Sequence, residues 1–303
     1  MFLKVIMELI KPITYAETQL ISSTATETYS AWSSATSYAI GARVTYNYRI
    51  YESVIGSNLN NNPATATTAW LNYAPDNKHA MFDTQVSTVT TSTGTLTTVL
   101  KPGMAFNSLA LLNLTGTSMN VKIQNGVGGT EVYNSTISLD ETIISDWYSY
   151  FFEPYDFKSE VVLTNLPAYL NGTITLTLST TGSSGVSIGA MIPGSLYNLG
   201  GTQYGARIGI KDYSVKTTDA YGNTTFVQRA YSKQMEATVY VNAEDLNLVY
   251  KLLTDVRSVP SVWIGSEADS LKPLVVFGYY RDFGITIQYP TYSLCTLSIE
   301  GLI

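Results

Sequence analysis

Charged residues are scarce in this sequence. They make up 13% of the 303 residues, about half the share that soluble domains usually carry. The balance is acidic, with a net charge of −6, and no cluster of lysine and arginine stands among aromatic residues. Because nucleic-acid binding needs clustered basic side chains to neutralise phosphates, the sequence predicts no direct binding of nucleic acid.

Cysteine and histidine are nearly absent, with one residue of each, Cys295 and His79. A single cysteine cannot form an internal disulfide, so the protein is expected to be made in a reducing cytoplasm. The alternating run at 292–299 predicts that Cys295 is a buried small side chain. The two residues are too few for a zinc site, and no Gly-x-Ser-x-Gly elbow gives His79 a serine to activate. We therefore expect no cofactor, no metal and a structural or surface role for His79.

Long apolar runs are also missing. The opening MFLKVIMELIKP is interrupted by Lys4 and Glu8, so it is too short to span a bilayer and lacks the apolar core of a signal peptide. The sequence predicts no membrane insertion. It predicts instead an ordered arm or edge strand that packs on another surface.

The residues that are abundant are Thr, Ser, Asn, Gly and Tyr, with 23 tyrosines. This composition favours strands and turns, so the predicted class is all-β. Changes in composition and residue pattern divide the chain into an arm and connector (1–30), a small aromatic β-module (31–77), a jelly-roll-like β-sandwich (78–199) and a C-terminal β-domain with one helix (200–303).

The predicted sandwich consists of short strands separated by turn residues at regular intervals, as such folds require. Its apolar run SLALLNL indicates a central strand covered on both faces. Two glycine-rich sites, Gly126–Gly129 and Gly200-Gly201, are predicted to be turns, because neither opens a helix with a phosphate-binding lysine. The candidate strands are 86–100, 108–114, 119–123, 130–137, 147–152, 159–163 and 172–178.

The C-terminal domain is expected to hold strands at 206–211, 226–229, 236–241, 259–264, 274–277, 283–288 and 292–299. Between them the apolar period changes to that of a helix. The apolar stripe of this predicted helix should pack on the surrounding strands, and Asn242 with Asp245 gives the helix a cap-like start. The stripe consists of Leu246, Val249, Tyr250, Leu252, Leu253 and Val256.

Paired carboxylates could serve glycoside hydrolysis, and three pairs stand close in sequence: Asp140 with Glu141, Glu153 with Asp156, and Glu267 with Asp269. Each lies in a turn-like segment where solvated acids are the ordinary interpretation. The segment Asp219–Asn223 is predicted to be a β-turn and falls short of a calcium loop. No catalytic residue is predicted.

Aromatic spacing in the module is distinctive: Trp32, Tyr38, Gly41, Val44, Tyr46, Tyr51, Pro63 and Trp70. It resembles the chitin-binding modules of carbohydrate-binding families 5 and 12, although Asn47-Tyr48 replaces the usual hairpin glycine. The resemblance implies stacking of rings on sugar faces, with Tyr46, Tyr48, Tyr51, Trp32 and Trp70 as candidates. The alternative is that Trp32, Tyr38 and Trp70 form the module's core, leaving Tyr46, Tyr48 and Tyr51 exposed.

The whole chain also resembles bacteriophage tail proteins. The likeness rests on the N-terminal ELIKPIT…LISSTATETYSAW, the module, DWYSYFFEP at 146–154, GGTQYGARIGIKDYS, and SVPSVWIGS with FGYYRDFGITIQYPTYSLCTLSIEGL. The resemblance implies a virion component of a long-tailed phage, with residues 200–303 similar to the ring-forming part of distal tail or baseplate proteins. Its partners would be copies of itself and the tube, hub and fibre proteins.

Three functions follow as hypotheses. The first is a non-enzymatic, homo-oligomeric subunit of a tail tip, assembled in the host bacterial cytoplasm. Its module would bind either host-surface polysaccharide or a neighbouring virion protein. The second is a polysaccharide-binding adhesion protein. The third, a glycan-degrading enzyme, has the least support, because no acid pair stands out. For the first, strand edges rather than the helix are expected to meet the neighbouring subunit.

Overall fold

The computed structural model describes residues 6–142, 146–152, 156–182, 184–266 and 274–302. Contacts divide the chain into two compact units. We call Met1–Ile13 with Gly194–Ile303 the terminal unit, and Thr14–Pro193 the middle unit. The four-part division drawn from the sequence stays a prediction, whereas the all-β class is confirmed by the strands that follow.

Strands dominate both units. Within the described residues they are, in chain order, β1 (Ile6–Pro12), β2 (Leu20–Ser23), β3 (Ser37–Tyr38), β4 (Arg43–Tyr46), β5 (Arg49–Ser53), β6 (Asn58–Leu59), β7 (Trp70–Pro75), β8 (Thr90–Thr93), β9 (Thr95–Leu100), β10 (Ser108–Leu112), β11 (Ser118–Asn125), β12 (Thr130–Ser138), β13 (Glu160–Leu163), β14 (Gly172–Ser179), β15 (Gly185–Ile188), β16 (Ala190–Thr202), β17 (Arg207–Asp212), β18 (Val215–Thr218), β19 (Thr224–Val227), β20 (Tyr231–Asn242), β21 (Ser261–Ile264), β22 (Val275–Thr286) and β23 (Tyr292–Gly301). The α-helices are α1 (Trp147–Phe152) and α2 (Leu246–Asp255), and single 3-10 turns lie at Glu17–Gln19 and Ala80–Phe82. No described helix is long and apolar enough to cross a membrane.

The middle unit contains an antiparallel sheet in the order β12-β11-β14-β9-β2. Alternate side chains of its strands β9, β11 and β14 are fully buried. This follows because successive side chains of a strand point to opposite faces of the sheet and one face is covered. Every residue of β10 is buried, which confirms the prediction of a strand covered on both faces. The glycines of Gly126–Gly129 form the turn of the β11–β12 hairpin, as predicted.

The terminal unit is built on a closed antiparallel sheet. Its six strands run β16-β1-β21-β22-β23-β20, and β20 pairs again with β16 to close the circuit. β1 is therefore bonded on both sides, and an edge position for the N-terminal strand is wrong. The apolar side chains Met7 and Leu9 explain its place, because they lie fully buried in the core.

Helix α2 packs its apolar stripe into the core of the closed sheet, as predicted, through Val249, Leu252, Leu253 and Val256. Tyr250 is the exception and is mostly exposed. The N-cap is Asp245 rather than Asn242, whose Nδ2 donates to Asp245 Oδ2 at 3.2 Å.

Three element predictions are wrong. Trp147–Phe152 is helix α1 rather than a strand, although aromatic residues favour strands. Gly200-Gly201 lies inside β16 and is not a turn. The stretches 274–277 and 283–288 belong largely to one strand, β22, which continues through a bulge between Tyr280 and Asp282.

Candidate interaction surfaces

The aromatic module has a core of Val44, Ala69 and Trp70. Trp70 is 2% exposed, and its indole Nε1 donates to the carbonyl of Asn61 at 2.9 Å. Trp32, Tyr38 and Tyr51 pack against this core while remaining half-buried. The geometry thus supports the structural alternative for Trp32, Tyr38 and Trp70.

The predicted glycan-stacking candidates differ widely in exposure. Tyr48 is 49% exposed, whereas Trp70 has no open ring face. The expectation that Tyr46 and Tyr51 are exposed is wrong, because both are half-buried. Tyr46 lies edge-on to Trp32 with 5.5 Å between centroids, and its hydroxyl accepts from Asn62. The structure does not bring these five residues onto one open surface.

The β4–β5 hairpin forms without glycine. Asn47 and Tyr48 both have left-handed φ angles, of 45° and 64°, as the tight turns that match strand twist require. The hairpin therefore keeps a regular register without glycine, with Tyr46 opposite Arg49.

His79 is buried, which supports the structural part of the expectation. Its Nδ1 lies 2.5 Å from Asp76 Oδ1, and the ring is 4.6 Å from that of Tyr48. Asp76 also accepts the backbone N–H of His79 at 3.0 Å. These contacts fix the chain that follows β7 and explain why Tyr48 is only half exposed.

The predicted carboxylate pairs are only partly described. Glu153, Glu267 and Asp269 lie outside the described residues. Asp140 holds a local turn, where hydrogen bonds from Thr142 keep the pKa of its carboxyl below the usual range. Among the described residues, no three His, Cys, Asp or Glu side chains lie close enough to hold a metal ion.

Asp219 shapes the turn between β18 and β19, as predicted for Asp219–Asn223. Its carboxylate accepts the side-chain and backbone N–H groups of Asn223, and these bonds lower its pKa.

Cys295 lies buried in β23, as its alternating run predicts. Burial raises the pKa of its thiol to about 11. Cys295 therefore stays protonated and inert at neutral pH.

Sequence reasoning missed an aromatic group on the outer face of β4-β5-β7. Tyr73 is the extra residue of a bulge, since Tyr51 pairs with Asn72 and Ile50 with Ala74. The guanidinium of Arg43 lies 3.8 Å from the Tyr73 ring centroid. Arg43 Nε donates to Glu52 at 2.7 Å and Nη1 donates to the Tyr29 hydroxyl at 3.2 Å. The bonds to Tyr29 and Glu52 raise the pKa of Arg43 and fix it beside Tyr73.

A second feature is the exposed stretch at residues 204–231, which we call the ribbon; the sequence predicted its strands at 206–211 and 226–229 and its turn at 219–223 but missed β18. It contains β17, which pairs only through β20, and the two-stranded sheet β18–β19. Every residue of β19 is exposed. β18 has two β-branched threonines after a valine, which favour a strand, but its run has only one apolar residue, so it lacks the apolar alternation that marks a half-buried strand.

Large apolar side chains of the ribbon face solvent. Phe226 is 72% and Ile210 63% exposed, and further exposed side chains are Tyr204, Ile208, Tyr213, Tyr221, Val227 and Tyr231. Lys216 lies opposite Phe226 in the β18–β19 register, with its Nζ 5.7 Å from the ring centroid. The ribbon therefore combines aromatic rings with positive charge.

The fold is thus that of an all-β protein with a closed sheet, an exposed ribbon and a small aromatic module. No protein-family model matches the chain, and no curated protein matches it. Among solved structures, it is similar to a selenomethionine-labelled mutant of chitosan-binding module 1, derived from a chitosanase/glucanase of Paenibacillus sp. IK-5. That likeness has a TM-score of 0.27 and 12% identity over 39% of this chain and 83% of that one, which is too low to define a shared fold.

Proposed function

We propose that this protein is a non-enzymatic structural subunit that assembles with copies of itself in the tail tip or baseplate of a long-tailed phage. The virion assignment rests on the sequence resemblance. Self-association rests on one observation, the solvent-exposed apolar ribbon of residues 204–231. The proposed setting is the virion tail, assembled in the host cytoplasm beside tube, hub and fibre proteins.

The ribbon supports self-association for two physical reasons. Contiguous exposed apolar side chains mark interaction surfaces, because their exposure to water is unfavourable. In addition, β17 stands at the end of its sheet order, and an edge strand offers unpaired backbone groups for a further chain. An assembly of identical subunits can cover both features with one repeated contact.

Assembly through the ribbon is tested by placing charges on it. We expect the double variant Ile210→Asp/Phe226→Asp to weaken self-association at least tenfold, because each change buries a carboxylate in the contact. Ile40→Asp/Leu170→Asp is the matched control, because it adds the same charge at two apolar side chains of similar exposure that lie outside the ribbon. Light scattering across micromolar concentrations measures the effect.

The outcomes separate clearly. A wild-type chain that stays at 33.1 kDa over this range contradicts the proposal. So does an oligomer that the ribbon variant leaves unchanged. Turnover of a host polysaccharide that is lost with one carboxylate substitution would contradict the non-enzymatic part.

A second candidate function, polysaccharide binding by the module, has its own observation. The ring of Tyr73 is exposed and held by Arg43 beside the carboxylate of Glu52. Such a ring can stack on a sugar face, with Arg43 and Glu52 as partners for its hydroxyls. If the protein served adhesion alone, it would be a monomer that binds glycan.

A glycan array measures this candidate function directly. We expect Tyr73→Ala to reduce glycan binding about tenfold or more, because it removes the stacking surface. Tyr169→Ala removes an exposed ring outside the module and should leave binding unchanged. Equal binding by the two variants, or no binding by the wild-type chain, contradicts the candidate function.

A further inference from the structure

Helix α1 carries a concentrated aromatic surface. Its side chains Trp147, Tyr148, Phe151 and Phe152 are all strongly exposed, Trp147 at 80%; we call these four the aromatic helix surface. The rings pair one turn apart, Trp147 with Phe151 at 6.3 Å and Tyr148 with Phe152 at 5.0 Å. An exposed apolar surface of this kind marks a contact with a partner.

The ends of the segment that carries α1 are fixed by a short antiparallel stem. Asp140 pairs with Phe157 across it. The backbone N–H of Glu141 donates to the carbonyl of Asp156 at 2.9 Å, and that of Lys158 donates to Leu139 at 2.7 Å. The stem anchors the segment in the middle unit at both ends.

The charge around α1 is of one sign. The described residues of this stretch, 140–142, 146–152 and 156, contain four acidic side chains and no basic one. The ribbon has the opposite balance. Its Lys211 is paired with Glu300 at 2.8 Å, which leaves Arg207, Lys216 and Arg229 against two aspartates. It is thus net positive in a chain of net charge −6. The two surfaces are both apolar, both exposed and opposite in charge.

We propose that the aromatic helix surface of one copy binds the ribbon of a second copy of this chain. This inference rests on the proposed self-association and names both halves of the contact. Both surfaces are open to solvent, with Trp147 at 80% and Phe226 at 72% exposure. Burial of the rings drives the contact, and complementary charge sets its specificity.

Two different patches form this contact, so it is heterologous. Repetition of such a contact closes into a ring when the rotation between copies is a simple fraction of a turn. Lys216, which already lies over Phe226, brings a cation to the aromatic rings of α1, where it is stabilised by their negative faces. The acidic residues beside α1 meet Arg229 and Lys216 at the same time.

Charge exchange tests the contact with full-length chains. The acid-side variant is Asp146→Lys/Asp156→Lys, and the ribbon variant is Lys216→Glu/Arg229→Glu; all four positions are exposed. We expect each variant alone to associate at least tenfold more weakly than the wild-type chain, because like charges then meet across the contact. An equimolar mixture, or one chain with all four changes, should recover association, because opposite charges meet again.

Several results overturn the inference. One is that the acid-side variant and the ribbon variant, each tested alone, associate as the wild-type chain does. Another is that neither the mixture nor the fourfold variant recovers association. If charge exchange has no effect while Ile210→Asp/Phe226→Asp still disrupts the oligomer, this pairing is wrong and self-association stands. If the wild-type chain is a monomer, both proposals fail.

Salt dependence of the wild-type chain gives a second test that needs no variant. Salt screens charges at protein surfaces. Complementary surfaces predict association that weakens about tenfold between roughly 50 and 500 mM salt. General repulsion between chains of net charge −6 predicts association that strengthens with salt, and that result contradicts the proposed pairing.

Discussion

Gly200→Ala is expected to destabilise the terminal unit by about 3 kcal/mol. Gly200 has a φ of 129°, a backbone conformation that residues with a side chain rarely adopt. A Cβ there would also collide with the carbonyl oxygen of Tyr240. Since β16 and β20 pair at Gly201 and Tyr240, the collision falls where the sheet closes. Hydrogen exchange of the β16 and β20 amides measures the loss as a roughly hundredfold faster exchange.

Gly201→Ala is the matched control, one residue along the same strand. A Cβ at Gly201 meets no atom within 4 Å, and its φ is not positive. We expect its exchange rates to stay within about twofold of the wild-type rates. Equal effects of the two alanine substitutions would contradict the closed sheet at this point.

Trp70→Ala is expected to destabilise the aromatic module by about 3–5 kcal/mol. Trp70 is almost fully buried in a core that has only Val44 and Ala69 as its other fully buried members among the described residues. The substitution also removes the bond from the indole to the Asn61 carbonyl. Exchange of the β4, β5 and β7 amides should accelerate at least about a hundredfold.

Tyr48→Ala serves as the control in the same module, because Tyr48 is exposed at the hairpin turn. Exchange in β4 and β5 should change by less than about threefold. Trp32→Ala should fall between the two, because Trp32 is half-buried. A folded Trp70→Ala module with normal exchange would show that Trp70 does not support the core.

Local patterns were sufficient for many elements. The helical spacing of Val249, Leu252 and Leu253 predicts α2, and the alternation of β11 and β14 follows from a half-buried sheet. Such elements are predictable because their burial repeats with the period of their own backbone. The same holds for the turn at Asp219, whose side chain bonds to the backbone a few residues on.

Non-local contacts explain what sequence reasoning missed. In β16, Gly194 and Gly200 resemble turn residues, yet each allows a neighbouring strand to approach closely, at Lys11 and at Tyr240. Only the fold reveals that approach. The Tyr73 site was missed for a related reason, because a bulge in β7 and Arg43 of another strand create it.

Native mass spectrometry of the wild-type chain measures self-association itself. A closed assembly predicts one dominant mass, an integral multiple of 33.1 kDa, that breaks down to single chains in Ile210→Asp/Phe226→Asp. A single mass of 33.1 kDa at every concentration would show that the chain does not self-associate.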